Sequence, residues 1–211
     1  ENRAALHIAL RKRSEDEIHV DGSDVIPDVH ATLARIKLFA DDVRDGQKKG
    51  CTGRIFRHVV NIGVGGSHIG PMFVAEACKN NQPSPLSVDF VSNLDVAQLN
   101  DVLEKLDPSE TLFVICSKSF ATAETMANAR AARKWLVASL GEQAVAVHMS
   151  AVTVAHDKAA AFGVSQDFIF PIWDWVGGRH SLWSAMSLAA VLAVGYESFE
   201  QMLAGAEAMD E

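Results

Sequence analysis

The segment TLFVICSKSFATAET at 111–125 limits the fold more than any other stretch of the 211-residue chain. Leu112, Phe113, Val114, Ile115 and Cys116 form a short, continuous apolar run. A run of that length without alternation belongs to a strand covered on both faces, as in a parallel sheet. Ser117, Lys118, Ser119, Phe120, Ala121 and Thr122 follow, three hydroxyls and one cation in six residues. Met126, Ala129, Leu136 and Leu140 then keep roughly helical spacing, which predicts helix from Thr122 onward. Free backbone N–H groups at a helix start, with Ser and Thr hydroxyls beside them, suit a phosphate. Lys118 adds a point charge. On these residues alone, an ordinary strand–turn–helix with a Ser/Thr cap is the competing reading.

The same alternation runs through most of the chain. Val59, Val60 and Ile62 read as a strand, residues 69–79 as a helix with Pro71 in its first turn, and 80–85 as a loop. Val88 to Val91 reads as a strand. Ser92, Asn93, Leu94 and Asp95 cap a helix over 96–106, closed by Asp107-Pro108. A fourth strand is expected over 144–149, a helix over 152–162, a short fifth strand over 168–170 and a loop over 173–179. Residues 181–194, apolar nearly all round, predict a buried helix, and 199–209 a last one. Ahead of this, residues 1–13 look helical. Asp21-Gly22 marks a turn. Pro27 opens a helix whose face carries Val29, Leu33, Ile36, Ala40 and Val43. Strands alternating with helices over short loops predict an α/β fold, a three-layer αβα sandwich with a mainly parallel five-stranded sheet. The expected division is a helical segment at 1–50 packing on a domain at 51–211.

A second loop lies between a strand and a helix, GVGGSHIG at 63–70. A dinucleotide fingerprint needs glycine at the sixth place, where His68 stands. A P-loop needs Gly-Lys-Ser/Thr, and here Gly70 precedes Pro71. What remains is a loop where backbone can approach a ligand closely, with the Ser67 hydroxyl beside it. In a parallel α/β sheet both loops lie at the carboxyl ends of strands, where ligands bind. Arg179 follows Gly177-Gly178 at the expected start of the buried helix, against the helix dipole. It reads either as a surface or ion-paired residue or as a cation placed for an anionic ligand or oxyanion. Trp173, Trp175 and Trp183 read as core packing. No carboxylate or histidine stands out as a general base.

The formal charge of −8 and pI near 5.5 argue against a nucleic-acid binder. No apolar stretch approaches the roughly 18 residues that a membrane span needs. Cys51, Cys78 and Cys116 show no metal-ligand spacing and read as reduced thiols of a cytoplasmic protein. No metal site is expected.

Together these motifs resemble the glucose-6-phosphate isomerase family. They include ENRAALH at 1–7, DGSDVIPDV at 21–29, NIGVGGSHIGP at 61–71, VSNLD at 91–95, SKSFATAET at 117–125, WDWVGGRHSLWSA at 173–185 and GAEAMD at 205–210. The resemblance implies the flavodoxin-like sugar isomerase (SIS) domain and interconversion of glucose 6-phosphate and fructose 6-phosphate through a cis-enediol. It implies that Ser117, Lys118, Ser119 and Thr122 hold the sugar phosphate, that Gly66 and Ser67 line the sugar, and that Arg179 stabilises the enediolate. It implies no cofactor, a homodimer for the whole enzyme, and a general base outside these residues. The chain is therefore expected to be the amino-terminal SIS portion of a longer enzyme and inactive alone. Ser119 stands where Thr is common, Ala121 and Ala123 where Thr and Gln are, and His180 where Phe or Tyr is. Two rival readings are a non-catalytic sugar-phosphate-binding SIS module, which a DNA-binding appendage would support, and a nucleotide-dependent dehydrogenase, which His68 opposes.

Overall fold

The computed structural model describes residues 5–79 and 84–211. Asp21 and Gly22 both take left-handed backbone, φ 50° and 84°. That is what a two-residue turn needs to join β1 (His19–Val20) to β2 (Ser23–Asp24) as a hairpin. The Ile18 and Ile26 N–H groups both donate to Asp24 Oδ1 at 3.1 Å, tying the hairpin to α1 (Ile26–Arg44). Pro27 sits in the first turn of α1, where its missing N–H costs nothing.

Five parallel strands follow: β3 (His58–Gly63), β4 (Ser87–Val91), β5 (Thr111–Cys116), β6 (Met149–Thr153) and β7 (Ile169–Pro171). Their order is β4-β3-β5-β6-β7. Counted by themselves they run 2-1-3-4-5, the doubly wound flavodoxin-like order. The helices after α1 are α2 (Gly66–Ala77), α3 (Val96–Leu103), α4 (Ala123–Leu140), α5 (Val145–His148), α6 (His156–Phe162), α7 (Leu188–Val194) and α8 (Tyr196–Asp210). α1, α2 and α7 cover one face, with α8 against α1 and α7; α3 to α6 cover the other. The organising strand β5 is buried along its whole length, as its unbroken apolar run requires. The expected sandwich is therefore the observed one.

Several boundaries differ, for physical reasons. Of the strand expected over 144–149, residues 144–148 are not strand. Gly141, at φ 83°, leads into a 3-10 turn and α5, and the strand starts at Met149. A short apolar run cannot distinguish a buried helical turn from a strand. His148 marks the change: its Nδ1 lies 2.9 Å from the Thr111 carbonyl, and the Cys51 N–H donates to its Nε2 at 3.0 Å. A carbonyl only accepts, so Nδ1 carries the proton. Residues 152–153 belong to β6, and α6 starts only at His156. The fifth strand is shifted by one residue to Ile169–Pro171. The helix expected over 181–194 is broken into two 3-10 segments, Gly178–Trp183 and Ala185–Ser187, before α7. Ser184 explains the break: its hydroxyl donates to the Ser181 carbonyl and accepts from the Met186 N–H, competing with helix bonds. The helical start of the chain is a 3-10 turn, His7–Arg11. Residues 1–4 of that expected helix and 80–83 of the expected loop lie outside the described residues.

α2 begins three residues earlier than expected, so Pro71 lies inside it. Proline there leaves the carbonyl four residues back, that of Ser67, without its helical donor. Asn61 Nδ2, on β3, donates to that carbonyl at 3.1 Å.

Candidate functional site

β3 and β5 lie side by side at the centre of the sheet, and the helices that follow them, α2 and α4, pack on opposite faces. This is the switch point at which doubly wound folds open a crevice at their carboxyl edge. The glycine loop after β3 and the hydroxyl turn after β5 line it.

The hydroxyl turn is built around Phe120. Its N–H donates to the Ser117 carbonyl at 3.1 Å, and its φ is 48°. A left-handed residue with a Cβ costs about 1–2 kcal/mol. Burial of the ring edge-on to Phe162, centroids 5.8 Å apart, offsets that strain. The turn is also held from β6: the Val154 N–H and the Thr153 hydroxyl donate to the Lys118 carbonyl, each at 2.9 Å. Lys158 Nζ donates to the Ser119 carbonyl at 3.3 Å. Ser117 is buried and its Oγ donates to Thr122 Oγ1 at 3.3 Å; Thr122 is half-buried and Ser119 exposed. Thr122 is the N-cap of α4, yet its side chain makes no capping bond to the helix N–H groups. One turn on, Thr125 Oγ1 is buried without a partner among the described residues. The turn thus presents hydroxyls and first-turn N–H groups at the positive end of an 18-residue helix.

Lys118 reaches out of this turn. Its Nζ donates to the carbonyls of Asp174 at 2.8 Å and Val176 at 3.1 Å, with the Asp174 carboxylate 3.4 Å away. From the other side, Gly66 opens α2 after Gly65, whose φ of 60° suits glycine. A Cβ on Gly66 would overlap the Gly178 carbonyl, so the two backbones touch. Ser67 Oγ donates to Met186 Sδ at 3.5 Å. The loop at 173–179 is therefore the meeting point: Lys118 grips its first half and α2 abuts its second. Arg179 is exposed on the 3-10 segment Gly178–Trp183, with no carboxylate at ion-pair distance among the described residues. It does not begin a buried helix, so the expected conflict with a helix dipole does not arise.

Beneath the crevice the Cys116 thiol donates to Asn61 Oδ1 at 3.3 Å. Burial pushes its pKa up to about 12, so it stays a thiol at neutral pH. Trp173 and Trp175 stack with centroids 5.2 Å apart; Trp175 is buried. Among the described residues no three His, Cys, Asp or Glu side chains gather as a metal site would need, and no helix is long and apolar enough to cross a membrane.

All seven residues singled out from the sequence lie on these three adjoining segments. The sequence reading missed Phe120, Thr153, Lys158 and Asn61, which hold the loops in shape. Phe120 alone left a signal, a large aromatic in an otherwise small, polar turn. Hydroxyls, helix N–H groups, an ammonium and an open guanidinium at one edge are donors of the kind an anion accepts from.

The family model described as Phosphoglucose isomerase matches residues 1–211. A glucose-6-phosphate isomerase of Brucella ovis is 50% identical over 210 residues, covering 100% of this chain and 38% of the relative. The Brucella suis biovar 1 enzyme of that name matches to the same extent. Among solved structures, a glucose-6-phosphate isomerase from Chlamydia trachomatis superposes with a TM-score of 0.83 at 30% identity, over 100% of this chain and 39% of that one. A hypothetical protein from Thermus thermophilus gives 0.65 at 27% identity, over 81% of this chain and 38% of its own. The chain thus spans about 38% of the length of the Brucella relatives it matches.

Proposed function

This chain belongs to the phosphoglucose isomerase family, and on that premise we propose that it is the sugar-phosphate-binding part of an aldose–ketose isomerase that interconverts glucose 6-phosphate and fructose 6-phosphate. The observation that carries this reading is the convergence of the hydroxyl turn and the α2 start on the loop at 173–179, which ends in Arg179. Ser117, Lys118, Ser119, Thr122 and the α4 N–H groups hold the phosphate. Gly66 and Ser67 line the sugar. Arg179 faces the reacting carbons and stabilises the negative oxygen that develops as a cis-enediol forms. Proton transfer between C2 and C1 needs a base within hydrogen-bond reach of both carbons. None of the site residues can serve, since serine, threonine, lysine and arginine are not free bases at neutral pH. As the family resemblance implies, we place the base in a part of the enzyme outside these 211 residues. The chemistry calls for no cofactor, nucleic acid or membrane. We read the enzyme as a cytoplasmic homodimer, with residues 1–50 as a helical segment packed on an SIS domain at 51–211.

The test is calorimetric titration of the 211-residue chain with fructose 6-phosphate, alongside a coupled isomerase assay of the chain and of the whole protein. The chain should bind and show no turnover; the whole protein should turn over. Lys118→Ala should weaken binding about ten- to a hundredfold, the worth of a charge-assisted hydrogen bond. Binding without turnover by the whole protein would favour a non-catalytic sugar-phosphate module. Tighter binding of NAD than of the sugar phosphate would sink the reading.

A further inference from the structure

His180, the neighbour of Arg179, stacks on His7: the ring centroids are 4.3 Å apart and the planes 11° from parallel. His7 opens the 3-10 turn His7–Arg11, which is itself well anchored. Asp210 of α8 grips Arg11 with both carboxylate oxygens, at 2.6 and 2.7 Å. Arg11 Nη1 donates to the His7 carbonyl at 3.3 Å and lies 3.2 Å from His7 Nδ1. A guanidinium only donates, so His7 Nδ1 accepts and carries no proton. The Arg11 guanidinium also lies 5.1 Å from the centre of the Trp183 ring, at the far end of the Arg179 segment. One turn therefore holds Gly178–Trp183 at two places, His7 on His180 and Arg11 on Trp183. Among the described residues, α2 meets this segment through packing and backbone contact.

We infer that His180 is a positioning residue for Arg179, and that the His7–His180 stack is a clip which holds while both rings are neutral and opens when either takes a proton. The inference rests on the function proposed above and adds a control to the same site. The charged and titratable groups that face His7 are Arg11 on its own turn, His180 on the segment it holds, and Asp210 on α8. A proton on His7 Nδ1 removes the acceptor that Arg11 uses and sets two cations 3.2 Å apart. A proton on His180, which is exposed to solvent, places a cation face to face with a ring that already lies beside Arg11. Burial holds the His7 pKa below the usual histidine value, His180 and Arg11 push it the same way, and Asp210 opposes them. A depressed folded-state pKa means that the closed clip is complete above the unfolded value of 6.5 and weakens as pH falls below it.

Hydrogen–deuterium exchange of a peptide spanning residues 178–184 tests this, in the wild type and in His180→Phe, at pH 8 and at pH 5.5. Phenylalanine keeps a stacking face and has no proton to gain. Exchange should match at pH 8, and at pH 5.5 the wild type should exchange about five- to tenfold faster than the variant. Equal exchange at both pH values, or an acid response in His180→Phe as large as the wild type's, overturns the inference. Should the variant not fold, histidine Cε1–H signals of the wild type decide. The Gly178–Trp183 amides should move together with the His7 signal as pH falls. A His7 titration that leaves those amides unmoved also overturns it. In the whole enzyme, the ratio of His180→Phe to wild-type kcat should rise as pH falls, with KM alike. A whole enzyme inactive at every pH defeats the function reading, and the exchange data still decide this one.

Discussion

Gly66 and Gly178 face each other across the site, and only one of them has room to grow. A methyl group on Gly66 overlaps the Gly178 carbonyl, whereas a Cβ on Gly178 meets nothing within 4 Å. Gly66→Ala should force α2 and the Arg179 segment apart. Overpacking of this kind costs about 1–3 kcal/mol, or roughly 2–4 °C of Tm per kcal/mol in a chain of this size. Affinity for fructose 6-phosphate should fall with it. Gly178→Ala should leave melting temperature and affinity near wild type; a loss as large as that of Gly66→Ala would show that the backbone contact is not what fixes the loop. At this scale much of the candidate site was legible. Lys118 stands out as the one cation among hydroxyls at a strand's end. Its partners do not, because the Asp174 and Val176 carbonyls are 56 and 58 residues away and no local pattern encodes such a pairing.

At the scale of elements, α2 contains a proline and remains a helix. The orphaned Ser67 carbonyl is served from the neighbouring strand by Asn61, whose other end accepts from the Cys116 thiol. Asn61→Leu should leave the part-buried Ser67 carbonyl unpaired and the Cys116 thiol with the Met186 carbonyl alone, at about 1–3 kcal/mol, read as a lower urea midpoint at unchanged slope. Adding Pro71→Ala returns an N–H that can bond to Ser67, so the double variant should recover part of the loss. Strict additivity of the two changes would refute the link. The sequence announced that strands and helices alternate, since period and run length are local properties. It could not place the boundary at Met149 or the break at Ser184. The first depends on bonds from the buried His148 ring to Thr111 and Cys51, the second on a hydroxyl choosing backbone partners over solvent.

The whole molecule carries three histidines, His7, His68 and His148, whose pKa values burial lowers from 6.5. Each binds fewer protons folded than unfolded just below that value, so stability rises with pH there and is lost on acidification. The Asp107 and Asp210 carboxyls are lowered instead, by hydrogen bonds to Ser109 and Arg11 respectively, and act only below about 3.8. The urea midpoint should therefore fall between pH 7.5 and 5.5, before those two carboxyls respond. His148→Gln should flatten part of that fall, because a protonated His148 can no longer accept the Cys51 N–H. A pH profile unchanged by that substitution would assign the fall to other groups. The overall architecture was the most legible level of all. A parallel sheet buried on both faces demands unbroken apolar runs with helices between, and those are visible in a single sequence. That the loop at 173–179 is where three segments meet is a property of the folded chain alone.

The Lys118 ammonium already has company: two carbonyls of the loop at 173–179 and, more weakly, the Asp174 carboxylate. If Lys118 holds a phosphate as proposed above, the loop is an internal mimic of that ligand, and the phosphate must win the ammonium in competition. Measured affinity is then a difference between two complexes, one of them intramolecular. Removing the mimic's charge should help the true ligand. Asp174→Asn should tighten phosphate or sugar-phosphate binding, by up to about fivefold since exposed ion pairs are worth no more than about 1 kcal/mol. The gain should shrink as salt is added. A weaker complex in Asp174→Asn would mean that the carboxylate aids binding, and that the lysine is being held ready and not held back.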